Sequence, residues 1–183
     1  MKAGQDSGGK SASQGAEPRR YVVMGVSGCG KSEIGARLAE RLGCRHIEGD
    51  AYHSRHNIQK MAAGIPLDDA DREDWLERLS EELALARKGG AGLVLSCSAL
   101  KRKYRDLLRQ GDPDVVFVHL SGPRSLIEER MRVRPNHFMP VSLLDSQFRD
   151  LQPLDASETG VVMDVGLPPD ELVKKVLECI DKT

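Results

Sequence analysis

The sequence predicts an α/β fold: a doubly wound parallel sheet with helices on both faces. Three observations predict it. Short apolar runs at residues 21–24, 45–48, 92–97, 115–120 and 160–165 alternate with helix-like patterns at 31–42, 55–63, 71–88, 99–110, 123–133, 141–151 and 169–182. The central runs, such as Leu93-Val94-Leu95 and Val115-Val116-Phe117-Val118, are continuously apolar, which suits parallel strands covered on both faces. A glycine-rich turn at residues 25–30 joins the first run directly to the first helical pattern. Alternation of this kind closes through right-handed crossovers. Ligands then bind beyond the C-terminal ends of the strands, so residues just after each strand are the functional candidates.

The elements are justified in order. Tyr21-Val22-Val23-Met24 is the first strand, and Ile34, Leu38 and Leu42 recur at helical spacing behind the turn, with Ala36 and Ala39 between them. In the long third helix, Trp75/Leu76, Leu79, Leu83 and Ala86 form a core stripe, while Glu77, Arg78, Glu81 and Glu82 turn outward. Gly89-Gly90 ends that helix. Met61 and Trp75 read as core residues. Residues 130–140 are basic, lack periodicity and carry Pro135 and Pro140, predicting a mobile lid at about 130–141. Residues 1–20 are rich in Gly, Ser, Lys, Gln and Ala and nearly free of large apolar side chains. They are expected to form a disordered tail, leaving 21–183 as one domain.

Composition narrows the function classes. The 27 basic and 28 acidic side chains nearly cancel, which argues against nucleic acid or an anionic membrane as the main partner. No apolar stretch approaches the roughly 20 residues of a membrane helix, and the tail lacks the apolar centre of a secretory signal. Cys29, Cys44, Cys97 and Cys179 form no C-x-x-C pair, so a reduced, cytoplasmic setting is expected.

Gly25-Val26-Ser27-Gly28-Cys29-Gly30-Lys31-Ser32 matches G-x-x-x-x-G-K-[ST] at every fixed position, between a strand and a helix. Its backbone N–H groups would cradle the phosphates of a nucleoside triphosphate. Lys31 would reach the β- and γ-phosphates, and Ser32 would ligate Mg²⁺. Asp50 follows the second strand and reads as a general base for an acceptor hydroxyl, as a Mg²⁺-linked carboxylate, or as a helix cap. The third strand ends in no Asp or Glu, so Asp50 is the best remaining carboxylate near the phosphates. His53, three residues on, reads as a substrate contact or as a structural hydrogen-bonding residue. If a helix starts near Ser98, Lys101 and Arg105 fall four apart on one face, where they would bind a substrate anion or form a solvated basic face. Arg130 and Arg134, one helical turn apart on the lid, would close over the transferring phosphate, while His137 and Phe138 at its tip would touch substrate or pack when the lid shuts. Cys29, beside phosphate-binding amides, is expected to ionise readily and to make the enzyme sensitive to oxidation.

Together these motifs resemble the gluconate kinases, small phosphate-binding-loop kinases that phosphorylate a sugar acid. The resemblance rests on MGVSGCGKS, on GD-x-x-H-x-x-x-N at residues 49–57, on KMAAG-x-PL at 60–67 and on DR-x-x-W at 71–75. It continues with CSALK at 97–101, YRD-LLR at 104–109 and an R-x-x-x-R-x-x-HF lid ending at Phe138. It implies a three-layer, adenylate-kinase-like core with strand order 2-3-1-4-5 and a lid. It also implies ATP and Mg²⁺ as cofactors, phosphoryl transfer to the 6-hydroxyl of D-gluconate, and a homodimer. By position, Asp50, His53, Arg55, Lys101 and Arg105 match the family's acceptor side, and Arg130 and Arg134 its lid. A kinase for shikimate, a nucleoside monophosphate or adenylyl sulfate on the same scaffold is the neighbouring reading. The guanine-reading N-K-x-D of a GTPase-like switch is absent.

Overall fold

The computed structural model of the chain describes residues 18–133 and 140–181. Residues 1–17 of the expected tail, and Arg134, His137 and Phe138 of the expected lid, lie outside the described residues.

Five parallel strands, β1 (Arg20–Met24), β2 (Arg45–Glu48), β3 (Leu93–Ser96), β4 (Val116–Ser121) and β5 (Gly160–Asp164), form one sheet in the order β2-β3-β1-β4-β5 among the described residues. The helices are α1 (Lys31–Leu42), α2 (Arg55–Ala62), α3 (Asp69–Lys88), α4 (Arg102–Gly111), α5 (Arg124–Val133), α6 (Leu144–Asp150) and α7 (Pro169–Ile180). Short 3₁₀ turns at Gly49–Tyr52 and Val141–Leu143 precede α2 and α6.

Strand periodicity divides the interior into two cores. On β1, Val23 faces one side with Val94, Val118 and Leu120, against α1 and α7. Val22 and Met24 face the other with Leu93, Leu95 and Phe117, against Trp75, Leu76, Leu79 and Leu83 of α3 and Leu108 of α4. Both faces of the central strands are therefore apolar, as their unbroken hydrophobic runs require. The edge strands are less covered: Val162 of β5 is largely exposed.

Two boundaries differ from the sequence expectation for physical reasons. Helix α3 begins at Asp69 because Asp68 caps it. The Asp68 carboxylate accepts from the Asp71 N–H, and the Asp71 carboxylate accepts in return from the Asp68 N–H. Helix α4 begins only at Arg102. Ala99 takes a left-handed conformation (φ 44°) and Lys101 stays extended, so residues 97–101 form a loop. Its Ser98 carbonyl accepts from the Gly25 N–H at 3.2 Å, fastening that loop to the glycine-rich turn.

Candidate active site

The register aligns the strand ends, pairing Val23 with Ser96, Met24 with His119 and Glu48 with Ser96. The glycine-rich loop, the turn carrying Asp50 and the loop carrying Ser98 therefore emerge from one edge of the sheet. The loop needs its glycines. At Gly25 φ is 142°, and a Cβ would stand 2.7 Å from the Leu120 carbonyl oxygen. Gly30 takes φ 98° as the N-terminal cap of α1, with open space where a Cβ would stand. The first-turn N–H groups of α1 have no helical acceptor and carry the positive end of its dipole. That makes the loop an anion cradle. Ser96 donates from Oγ to the Lys31 carbonyl at 3.0 Å and pairs with His46 at 2.9 Å, bracing the start of α1.

Lys31 folds its ammonium over the loop, donating to the Val26 carbonyl at 3.0 Å. A cleft opens on each side of this loop. One is lined by Gly28, Gly30, Glu33, Arg130, Leu167 and Pro169, and Arg130 is held there by donating to the Val165 carbonyl at 2.7 Å. The other is lined by Lys31, Asp50, His53, Arg72, Ser98 and Gln147, over Met61, Leu67 and Leu143. Met61 and Trp75 are buried, as expected.

Asp50 does not act as a helix cap. Ser54 caps α2, accepting from the Asn57 N–H at 3.1 Å, and the Asp50 carboxylate makes no hydrogen bond among the described residues. Its nearest titratable neighbour is His53, with Nε2 at 3.9 Å. The His53 ring stacks on Trp75 at 4.1 Å, and the Trp75 indole donates to the Gly49 carbonyl at 2.7 Å. Burial lowers the His53 pKa to about 4; Asp50 pulls it up and Arg72 pushes it further down. The imidazole is therefore neutral at physiological pH, and its buried Nδ1 has no partner among the described residues.

Three cleft assignments change. Arg105 is fully buried and belongs to the fold. It grips Glu158 through Nε at 2.7 Å and Nη2 at 2.8 Å, Nη2 also donates to the Pro153 carbonyl at 3.4 Å, and Nη1 donates to the carbonyls of Ala99, Leu100 and Gln152 at 3.1, 3.2 and 3.1 Å. No donor is left for a substrate. Lys101, extended before α4, does not share a face with Arg105; it pairs with Asp69 at 3.1 Å and Asp150 at 3.6 Å, outside the cleft lining. Arg55 stands exposed at the start of α2, also outside that lining. Cys29 likewise departs from expectation. It is buried, and desolvation pushes its thiol up, with the Lys31 and Arg130 charges only partly offsetting this. A readily ionised, oxidation-prone thiol is not what this position holds.

Two cleft residues escaped the sequence reading. Gln147 of α6 accepts from the Ser27 N–H of the glycine-rich loop at 2.6 Å, and no local pattern announces a contact across 120 residues. Arg72 did leave a signal: it extends the buried stripe of Trp75, Leu76 and Leu79 by one turn, a charged residue on a core face.

Among the described residues no three His, Cys, Asp or Glu side chains converge as a metal cage. Magnesium is commonly held by one or two protein oxygens together with substrate phosphates, and Ser32 and Asp50 are oxygen donors of that kind beside the cradle.

The comparisons with known proteins agree with this geometry. The AAA domain family matches residues 21–154. The thermoresistant gluconokinase of Escherichia coli K12 is 43% identical over 164 residues, 88% of this chain and 93% of its own length. The chain belongs to the gluconokinase family. The crystal structure of a gluconokinase from Sinorhizobium meliloti 1021 superposes with a TM-score of 0.82 at 46% identity, covering 91% of this chain and 93% of that one. A sugar kinase from Janibacter sp. HTCC2649, solved unliganded, gives a TM-score of 0.86 at 46% identity over 90% of this chain and 95% of its own. The strand order found here is the one the gluconokinase resemblance implies.

Proposed function

We propose that the protein transfers the γ-phosphoryl group of ATP to the 6-hydroxyl of D-gluconate, giving 6-phospho-D-gluconate and ADP. The observation that carries the reading is the pair of clefts lined by the glycine-rich loop: Gly28 and Gly30 face one, and Ser27 and Lys31 face the other, which holds a carboxylate without a hydrogen bond among the described residues and a neutral imidazole. Gluconokinase relatives of more than 40% identity over most of the chain support the acceptor.

The mechanism follows from these residues. The amides of residues 25–32 hold the triphosphate, and Lys31 leaves the Val26 carbonyl to neutralise charge spreading over the transferring group. Asp50 accepts the hydrogen bond of the attacking hydroxyl and aligns its oxygen, taking the proton as the bond to phosphorus forms. His53, neutral, hydrogen-bonds sugar hydroxyls. Arg130, at the phosphate cleft, stabilises the charge of the transferring phosphoryl group. Ser32 and Asp50 would hold Mg²⁺, which would supply positive charge to offset that of the phosphates. We further propose a homodimer working in the cytoplasm. The family resemblance supports the dimer, and four widely spaced cysteines with no C-x-x-C pair support the reducing compartment.

The test is ADP release from purified protein with ATP and Mg²⁺, offered D-gluconate, shikimate, a nucleoside monophosphate and adenylyl sulfate in turn. Stimulation by gluconate alone is expected. Stimulation by another acceptor and not by gluconate would overturn the proposal. Asp50→Asn should abolish turnover.

A further inference from the structure

Four charged side chains are buried among the described residues: Arg72, Arg105, Asp112 and Glu158. Three are neutralised within the protein. Arg105 pairs with Glu158 at 2.7 Å, and Asp112 pairs with Arg20 at 2.7 Å and Arg87 at 3.5 Å. Arg72 is 7% exposed, yet no carboxylate among the described residues lies within ion-pair distance of its guanidinium. Among the described residues its hydrogen bonds are two long ones, from Nε and Nη2 to the single carbonyl of Leu67, both at 3.4 Å. A guanidinium has five N–H donors in a fork that matches a carboxylate, so most of this capacity is unused. The Tyr104 ring, 5.5 Å from the guanidinium carbon, holds the cation by its π face and supplies no counter-charge.

A buried charge without a partner is costly, and proteins keep one where a ligand supplies the partner. Arg72 lines the cleft that holds Asp50, His53 and Lys31. Lys31 answers to phosphate and Asp50 is itself an anion, so the cleft still offers a cation to something else. We propose that Arg72 is the carboxylate receptor of the acceptor site: it takes the acid group of the sugar acid bidentately while the alcohol at the far end meets Asp50. This rests on the reading of the protein as a gluconate kinase and replaces Lys101 and Arg105 in that role. It makes Arg72 the residue that separates sugar acids from neutral polyols.

The test is calorimetric binding of D-gluconate and of its neutral amide, D-gluconamide, to the full chain and to Arg72→Gln and Arg72→Lys. Binding of a non-hydrolysable ATP analogue and the thermal midpoint are measured alongside. Loss of a charge-assisted bidentate pair should weaken gluconate about 100-fold in Arg72→Gln. Arg72→Lys should fall between, because it keeps the charge and loses the fork. The ATP analogue should bind as before, and the wild type should prefer gluconate to its amide by a similar factor. Unchanged gluconate affinity in Arg72→Gln, or a wild type that binds the amide as well as the acid, overturns the assignment. So does a parallel loss of gluconate binding, nucleotide binding and thermal midpoint in both variants, which would mark Arg72 as structural. A wild type that neither binds nor phosphorylates gluconate overturns the kinase reading instead.

Discussion

Glu158→Gln isolates the question of what Arg105 is for. The wild-type carboxylate has no exposed side-chain surface and accepts from Arg105 twice, from Arg109 at 2.5 Å and from the Asp155 N–H at 3.2 Å. Burial pushes its carboxyl up, but those donors hold it at about 2 against an ordinary 4.5. Titrating that far below its unfolded value, the group stabilises the fold by about 3 kcal/mol at neutral pH. Removing one partner of a buried ion pair costs about 3–5 kcal/mol by mutational experience, so the two routes agree. For a domain of this size that is a fall in thermal midpoint of roughly 6–12 °C. The folded carboxyl titrates low, so the contribution is complete above pH 4.5 and fades as pH drops toward 2. Melts of both proteins by circular dichroism should therefore differ at pH 7 and converge in acid. Gluconate KM, measured well below either midpoint, should not change. A variant as stable as wild type but with a raised gluconate KM would refute the argument and return Arg105 to the acceptor site.

Other expectations follow from the same structure. Lys31→Ala should lower kcat about 1,000-fold with an unchanged melt, because among the described residues the side chain's one bond is to the Val26 carbonyl; a stable variant retaining a tenth of wild-type kcat would contradict this. With an alkylating reagent at neutral pH and mass-spectrometric readout, half-buried Cys44 should be labelled well before buried Cys29 and Cys97. Rapid labelling of Cys29 in the native protein would contradict its raised thiol pKa. His53 titrates at about 4 when folded against 6.5 in the unfolded chain, so the unfolded state binds its proton first. Stability should be full above pH 6.5 and decline toward pH 4, and His53→Asn should flatten that limb in pH-dependent melts. An unchanged limb would show that His53 is not its source.

The sheet and the phosphate cradle were legible because their signals are local. Unbroken apolar runs mark strands covered on both faces, and the glycines, Lys31 and Ser32 sit at spacings the backbone itself requires. The acceptor cleft was less legible because it depends on phase and on distant partners. Lys101 and Arg105 share a face only if the helix is under way by Lys101, and the left-handed turn at Ala99 postpones it to Arg102. The residue that neutralises Arg105 lies 53 positions away, in the segment before β5, where no periodicity points to it. Asp50, by contrast, was readable from its strand-end position, and His53 from the GD-x-x-H pattern that carries the family resemblance. Arg72 was readable in principle, since an arginine in line with Trp75, Leu76 and Leu79 must either break the stripe or be kept inside for a reason.

The division of the interior by the sheet bears on how this enzyme can change. The cradle's Val26 and Cys29 are rooted in the core beneath α1 and α7, whereas Trp75, the floor under His53, is rooted in the opposite one. Mutational drift beneath the acceptor pocket can therefore reshape which acids or polyols fit, without loosening the grip on the shared phosphate donor. Such a chassis lets selection swap one half of a reaction while inheriting the other intact.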